Sequence, residues 1–299
     1  MAKFSYLSSI AQKKAASRAA PCELAEGELY NLYRINRFPD DVKRRLYACL
    51  IPDGIFTRFH LNRDTLCDDS GRSIFTIHCQ PRSSIVRLEV RHQYAFPDPV
   101  FLLEMRDNSF HDLEILFFNL NNPYAERFNI DRDADGNDTA YGMISHNISE
   151  EVRAMQAGLA PGQIRQGLRM FHDFLNHARE FCRQLGIVRV KIEPMAYHNA
   201  ILHEFYGFRY IRGREMMQRI DREFAPGGTL YQRLDGSTPF RQPGFERSIK
   251  GRSWAIHDGI LGEVWTCPRM YYTIDQNPGR VYDEFTCHTF RHCNSLLNL

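Results

Sequence analysis

Apolar residues recur with a helical period in the middle of the chain, between residues 161 and 185. They follow one another at steps of four and three residues, which places them on one face of an amphipathic helix. Their positions are Ile164, Leu168, Phe171, Leu175, Ala178, Cys182 and Leu185. Pro161 suits the first helical turn, because its missing N–H would lack a partner there anyway, and Gly186 suits the C-terminal cap. The pattern therefore predicts a long helix that begins at Pro161.

The period changes to two directly after this helix. Apolar residues alternate with basic ones over residues 188–192, which predicts a strand with one buried face. Residues 197–206 then predict a short helix that ends at Gly207, and residues 208–211 predict a further strand. This order of helix, strand, helix and strand is an α/β unit.

Four more strands are predicted upstream of the long helix. They cover residues 73–79, 84–90, 100–105 and 113–120. Short segments rich in Pro, Asp, Asn and Ser separate them, which is the pattern of an antiparallel meander. A meander followed by the α/β unit predicts an α+β fold, in which helices flank a mixed, mostly antiparallel sheet.

The two ends of the chain differ from this central part. Residues 1–55 predict a helical N-terminal extension, with helices at 28–33 and 40–50. Residues 226–299 are rich in turn residues and aromatic side chains, and predict a C-terminal extension packed on the α/β domain of residues 56–225. The N-terminal extension could cover a sheet edge or form the contact of a homodimer.

Composition excludes several classes of protein. The net charge is +2, from 38 basic and 36 acidic residues, whereas a dedicated nucleic-acid binder needs a concentrated basic surface. No stretch approaches the ~20 apolar residues that span a bilayer, and the N-terminus lacks an apolar segment typical of a signal peptide. We therefore expect a cytoplasmic protein with no membrane span. Its eight cysteines are expected to be reduced thiols.

A run of ten residues within the α/β unit resembles a known family. The run Asn199-Ala-Ile-Leu-His203-Glu-Phe-Tyr-Gly207-Phe208 is similar to the closing motif of the GNAT superfamily of acyl-CoA-dependent N-acyltransferases. With the preceding long helix, the resemblance spans residues 159–211. It implies a GNAT-like fold, acetyl-CoA or another acyl-CoA as donor, and direct transfer of the acyl group to a small-molecule amine in a ternary complex.

The resemblance also implies functional residues. His203 stands where the family has a tyrosine that protonates the departing thiolate, and Tyr206 is a rival donor on the same helix. Glu114, on a predicted strand, is a candidate base for the amine. The residues expected to bind the cofactor near the helix start are Gly162, Gln163, Arg165, Gly167 and Asn199. The alternatives are that His203 is an ordinary core or surface histidine and that the helix start binds no cofactor.

Two departures from the family pattern support a second hypothesis. Gln166 and Leu168 occupy positions where the family's pyrophosphate loop has glycine or alanine, and His203 replaces the tyrosine. The chain could keep the fold and act as a ligand-binding or protein-interaction module without catalysis.

Two clusters of metal-ligand residues give a third, metal-dependent hypothesis. Asp131, Asp133 and Asp135 precede Gly136 with the spacing of the first half of a Ca²⁺ loop. Gly142 stands where that loop has a bidentate glutamate, and a solvated Asx turn is the alternative. Cysteine and histidine near the C-terminus suit Zn²⁺. The ligands there would be Cys287, His288, His292 and Cys293, with Cys267 as a further one.

Overall fold

A single open sheet of seven strands organises residues 31–274, the part of the chain that the computed structural model describes. The strands are β1 (Phe75–His78), β2 (Ile85–Val90), β3 (Phe101–Asp107), β4 (Asp112–Leu120), β5 (Arg189–Ile192), β6 (Arg209–Arg212) and β7 (Arg269–Thr273). Their order in the sheet is β1-β2-β3-β4-β5-β7-β6. Strands β4 and β5 are parallel, and the other neighbouring pairs are antiparallel. The predictions of a meander and of a mixed, mostly antiparallel sheet are confirmed.

Nine α-helices accompany the sheet within residues 31–274. They are α1 (Leu32–Ile35), α2 (Asp40–Ala48), α3 (Asp53–Phe59), α4 (Ile148–Gln156), α5 (Phe171–Gln184), α6 (Tyr197–Phe205), α7 (Arg214–Glu223), α8 (Thr229–Gln232) and α9 (Ile249–His257). The side chains of Asn147 and Ser248 cap α4 and α9 by accepting backbone N–H groups of the first turn. None of these nine helices is long and apolar enough to cross a bilayer.

The main core lies between α5 and the meander. The ring of Phe174 on α5 packs against Phe101 of β3 and Phe118 of β4, with centroids 6.1 Å and 4.2 Å apart. Two turns further along the helix, Phe181 meets Tyr47 of α2 at 6.2 Å. The apolar stripe that the sequence showed over the second part of the long helix is therefore its buried face.

The prediction that the long helix begins at Pro161 is wrong, because α5 begins at Phe171. The preceding residues form an irregular segment that pairs with the continuation of β4. In that segment the N–H of Leu168 donates to the carbonyl of Leu120 at 3.1 Å. Arg169 then adopts a left-handed conformation with φ of 59°, which separates this pairing from the helix. Apolar side chains of this segment are also buried, so the apolar period continues across it. Its backbone, however, pairs with the end of β4 and is not helical.

The C-terminal segment completes the sheet. Strand β7 lies between β5 and β6 and is antiparallel to both, so the described part of residues 226–299 does more than pack on the α/β unit. Residues 1–30 and 275–299 lie outside the described residues. The start of the N-terminal extension and the predicted ligands Cys287, His288, His292 and Cys293 fall there.

A buried carboxylate joins the meander to the α/β unit. Asp112 is fully buried at the first residue pair of β4 and β5. It accepts hydrogen bonds from Arg189 Nε at 2.7 Å and lies 2.5 Å from Lys191 Nζ. Burial alone would raise the pKa of Asp112, but the hydrogen bonds and charges of Lys191 and Arg189 lower it overall. The carboxylate is therefore charged at neutral pH and links the two halves of the sheet.

We expect Asp112→Asn to lower the free energy of unfolding at pH 7 by about 2–3 kcal/mol, because two partly exposed cations lose their buried partner. The pKa of Asp112 is depressed in the folded state, so its contribution is present above the unfolded value of about 3.9 and is lost as pH falls through the folded value. Urea unfolding at pH 7 and pH 3 should therefore show a smaller difference at pH 3. Asp41→Asn is the control, because Asp41 and Arg45 form an exposed pair. Equal losses for both variants at pH 7 would contradict the role of Asp112.

Candidate functional site

The parallel strands β4 and β5 separate halfway along and leave a cleft between them. Their pairing ends at Ile115 and Ile192, whereas β4 continues to Leu120. Pro194 follows β5 closely and has no N–H with which to extend the pairing. The cleft at this point has a volume of about 240 Å³. The charged residues that line the cleft are Arg106, Glu114, Lys191, Glu193 and Arg269.

Strand β4 contains a bulge at the same point. Along β3, Glu104 pairs with Phe117 and Met105 pairs with Ile115, so Leu116 is an extra residue without a partner. An extra residue of this kind interrupts the ladder and increases the local twist, and bulges are frequent beside active sites. The bulge and the end of the β5 pairing together expose backbone of β4 to the cleft.

The charged side of the cleft is centred on Glu114. Its carboxylate lies 2.6 Å from Arg106 and 3.2 Å from Arg269, and its side chain is largely buried. Arg269 also pairs with Glu193 at 3.2 Å, and Lys191 is the neighbour of Glu114 across the parallel strands. The predicted base is therefore held in two ion pairs, and the cleft offers charges of both signs to a ligand.

The start of helix α5 lies beside the separated part of β4. The ring of Phe171, the first residue of the helix, packs against Phe118 at 5.4 Å, against His203 at 5.2 Å and against Tyr206 at 5.0 Å. Unpaired N–H groups and the positive end of the helix dipole are located at such a start, which favours anionic groups.

Two basic residues contribute positive charge near this helix start. Arg169 lies two positions before the first residue of the helix, and Lys250 of α9 donates a hydrogen bond to the carbonyl of Gly158 at 2.6 Å. Burial lowers the pKa of Lys250, and the charge of Arg169 lowers it further. Arg169 and Lys250 therefore both contribute positive charge to this region.

His203 is a buried histidine of the core. It is 7% exposed, and its ring meets the rings of Phe171 and Phe208 at 5.2 Å each. Its Nδ1–H donates to the carbonyl of Asn199 at 2.5 Å. Burial lowers the pKa of His203 to about 4, so the imidazole is neutral at pH 7. The backbone carbonyl of Asn199 therefore accepts a hydrogen bond from a buried histidine of the core.

Tyr206, the rival donor, also contacts the first residue of the helix. Its ring packs on Phe171 and is 6.2 Å from the ring of His172. Burial raises the pKa of Tyr206, and the nearby charge of Asp173 raises it further. Its hydroxyl therefore stays protonated at neutral pH and remains a hydrogen-bond donor.

Four of the five residues predicted to bind the cofactor lie in the irregular segment before α5, whereas Asn199 lies on α6. Arg165 donates to Asp98 at 3.0 Å, and the side chain of Gln163 accepts a backbone N–H of its own loop at 2.7 Å. Gly162 forms a turn with φ of 80°, and Gly167 bridges the backbone beyond β4. These four residues are not gathered at the start of α5, because that helix begins later than the sequence predicted.

The aspartates of the predicted Ca²⁺ loop do not converge. Asp131 pairs with Arg127 at 2.7 Å. Asp133 accepts the backbone N–H groups of Asp135 at 3.0 Å and of Asn137 at 2.8 Å. This is the Asx turn that stood as the alternative, and its carboxylate oxygens are occupied by the loop's own donors.

Sequence reasoning missed another cluster, in which His146, Glu151 and His257 meet. Their ligand atoms all lie within 4.8 Å of one another, and they are the one such group of three among residues 31–274. Glu151 and His257 are 106 positions apart, so no spacing motif could have joined them. His146 and Glu151 are separated by five positions, which is a weak signal.

The chain matches no family model, no curated protein and no solved structure. The chemistry of the cleft and of the His146 cluster therefore rests on the geometry of their residues.

The burial of His203 predicts a pH dependence of stability. Its pKa of about 4 in the folded state lies below the value of about 6.5 expected in the unfolded chain. The unfolded state binds more protons between these values, so the contribution is complete above pH 6.5 and decreases as pH falls. Between pH 7 and pH 5 we expect wild type to lose about 2 kcal/mol more than His203→Gln. Urea unfolding at both pH values measures this.

His172→Gln is the control for this experiment, because His172 is exposed. It should keep the pH dependence of wild type. If His203→Gln also keeps the pH dependence of wild type, His203 has an ordinary pKa in the folded protein. The interpretation of His203 as a buried core histidine would then be wrong.

Proposed function

We propose that this chain is an acyl-CoA-dependent N-acyltransferase with a GNAT-like fold, which acts on a small-molecule amine. The observation that carries the proposal is the separation of β4 from β5 at the bulge of Leu116, next to the start of α5. Separated strands leave N–H and C=O groups that need partners, and the two amides of a pantetheine arm supply them. A helix start supports the diphosphate at the other end of the same cofactor.

The donor would lie along the separated part of β4. Its diphosphate would face the start of α5, with Arg169 and Lys250 as counter-charges. These two residues replace Gln163 and Arg165 in our proposal, because Arg165 is held in a largely buried ion pair with Asp98 and Gln163 in its own loop, whereas Lys250 would exchange its hydrogen bond to Gly158 for the diphosphate. The thioester would then lie near Leu116, where a backbone N–H of the bulge would polarise its carbonyl.

The acceptor would approach through the charged cleft. The ammonium form first loses one proton, and the free amine attacks the thioester carbon. The C–N bond forms, the C–S bond breaks, and the second nitrogen proton passes to the departing thiolate, which leaves as the CoA thiol. Glu114 would attract the ammonium form and take up its proton. Tyr206 would donate a hydrogen bond to the departing thiolate. We assign this role to Tyr206 rather than to His203, whose ring is enclosed by Phe171 and Phe208.

One observation favours the alternative of a non-catalytic ligand-binding or interaction module. The rings of Phe118, Phe171 and Tyr206 close together beside the separated part of β4. They occupy space that a pantetheine arm would need. Binding of the cofactor would therefore require Phe171 or Tyr206 to change rotamer, and binding measurements distinguish the two functions.

Calorimetric titration with acetyl-CoA and with a long-chain acyl-CoA tests the donor site. We expect micromolar binding of at least one of them. Lys250→Met should weaken it by roughly 10-fold or more, because it removes a charge-assisted contact with the diphosphate. Arg222→Met removes an exposed charge elsewhere and should leave the affinity unchanged. If neither cofactor binds, the acyltransferase hypothesis is rejected, and the hypothesis of a non-catalytic ligand-binding or interaction module remains.

Tyr206→Phe tests the chemistry. With acyl-CoA and a panel of primary amines, we expect release of the CoA thiol to slow by about 100-fold, the lower end of the effect of a positioned proton donor. The dissociation constant for acyl-CoA should not change, because the lost interaction forms with the leaving thiolate. Tyr231→Phe, on an exposed tyrosine, is the matched control. Full activity of Tyr206→Phe would remove this residue from the mechanism.

A further inference from the structure

Three side chains of metal-ligand type meet between α4 and α9, in a part of the fold that the proposed transfer chemistry does not use. Glu151 Oε1 lies 3.0 Å from Nδ1 of His146 and 3.2 Å from Nε2 of His257. The two imidazole rings are 4.7 Å apart, at an angle of 74° to each other. Both rings therefore direct a nitrogen towards the same carboxylate oxygen.

The carboxylate of Glu151 is buried and needs a positive partner. The residue is 1% exposed, and among the described residues its ion-pair partners are the two histidines, with no lysine or arginine. Buried carboxylates in proteins are paired with cations or bound to metal ions. A histidine provides a full charge only when protonated, so a bound cation would balance Glu151 more completely at neutral pH.

Two of the three distances within the cluster suit a tetrahedral metal ion, and the third pair of ligand atoms lies within 4.8 Å. Bonds of about 2.0–2.1 Å to zinc at tetrahedral angles place neighbouring ligand atoms roughly 3.3 Å apart. The two histidine-to-carboxylate distances, 3.0 Å and 3.2 Å, are close to this spacing. Either imidazole nitrogen can bind a metal, so the use of Nδ1 by His146 and Nε2 by His257 is no obstacle.

The backbone at Gly142 closes one side of the cluster. Gly142 has φ of +81°, and a Cβ there would lie 2.6 Å from Glu151 Oε1 and 3.1 Å from Cε1 of His257. A side chain would therefore displace the ligands, and glycine also accepts this left-handed conformation without strain. His146 is 41% exposed on its side chain, which leaves a route for an ion and a water molecule from solvent.

Packing fixes the position of His257. Its ring meets the edge of the Trp254 ring at 5.6 Å. Trp254 in turn donates its Nε1–H to the carbonyl of Leu159 at 2.9 Å and stacks on Phe240 at 5.1 Å. A ligand held by such a neighbour is ordered in advance, which lowers the entropic cost of binding an ion.

We propose that His146, Glu151 and His257 bind one divalent transition-metal ion, with Zn²⁺ as the best match, and that this ion fastens α4 to α9. Two nitrogen ligands and one carboxylate favour zinc and its neighbours over Ca²⁺ and Mg²⁺, which prefer oxygen. Three protein ligands leave a fourth position for water on the exposed side. This site is distinct from the Asp131 loop and from the C-terminal cysteines and histidines.

Zinc titration of the full chain, prepared without a histidine tag and stripped with a chelator, tests the site. We expect calorimetry to show one equivalent bound at this site and the melting temperature to rise with zinc. His257→Ala and His146→Gln should each weaken this binding by more than about 100-fold, because each removes a direct ligand. His78→Ala is the matched control: His78 is also near a glutamate, Glu89 at 3.8 Å, and should bind zinc as wild type does.

His146→Gln protects the test against misfolding, because this side chain is partly exposed and the glutamine amide can still donate a hydrogen bond to Glu151. The zinc-free variant should therefore remain folded, which its melting curve checks. Cobalt as a spectroscopic probe separates the site from the C-terminal thiols. A nitrogen and oxygen site gives visible bands without the strong near-ultraviolet absorption of thiolate bound to cobalt. Equal zinc stoichiometry in wild type and both histidine variants, or cobalt bound through thiolates alone, would overturn the proposal and leave a metal-free cluster of hydrogen bonds.

Discussion

The parallel contact between β4 and β5 is the constraint on which the rest of the fold depends. It is four residue pairs long and has the buried Asp112 at its first pair, between Arg189 and Lys191. A short parallel pair is weaker than an antiparallel one, so the charged cluster provides stability where hydrogen bonds between strands are few. The antiparallel meander and the helix-strand-helix-strand unit meet only through this contact within the sheet.

The same contact creates the candidate site because it ends early. Beyond Ile115, strand β4 bulges at Leu116 and loses its neighbour. Charged side chains around Glu114 line the cleft that opens there, whereas aromatic rings around Phe171 lie at the start of α5. In the proposed ternary complex, a polar acceptor and a long, partly apolar donor would therefore have different surroundings.

Helix α9 connects the two proposed sites. Lys250 in its first turn lies near the start of α5, and His257 at its end belongs to the metal-ligand cluster. Between them, Ser253 makes a 2.9 Å hydrogen bond with His198 of α6. An ion held by His257 would steady the helix that presents Lys250, so a metal remote from the acyl donor could still influence its binding.

Hydrophobic periodicity by itself determined the strands of the meander, the second part of the long helix and the α/β order that follows, because these depend on local alternation of buried and exposed residues. The start of α5 and the place of β7 were decided by tertiary structure. Leu168 satisfies the same apolar period whether its backbone is helical or paired with Leu120, and β7 gains its position from partners distant in sequence. Likewise, the enclosure of His203 by Phe171 and Phe208 is a tertiary property that the sequence motif does not reveal. Glu151 and His257 became neighbours only through folding, since local sequence cannot encode a contact across 106 positions.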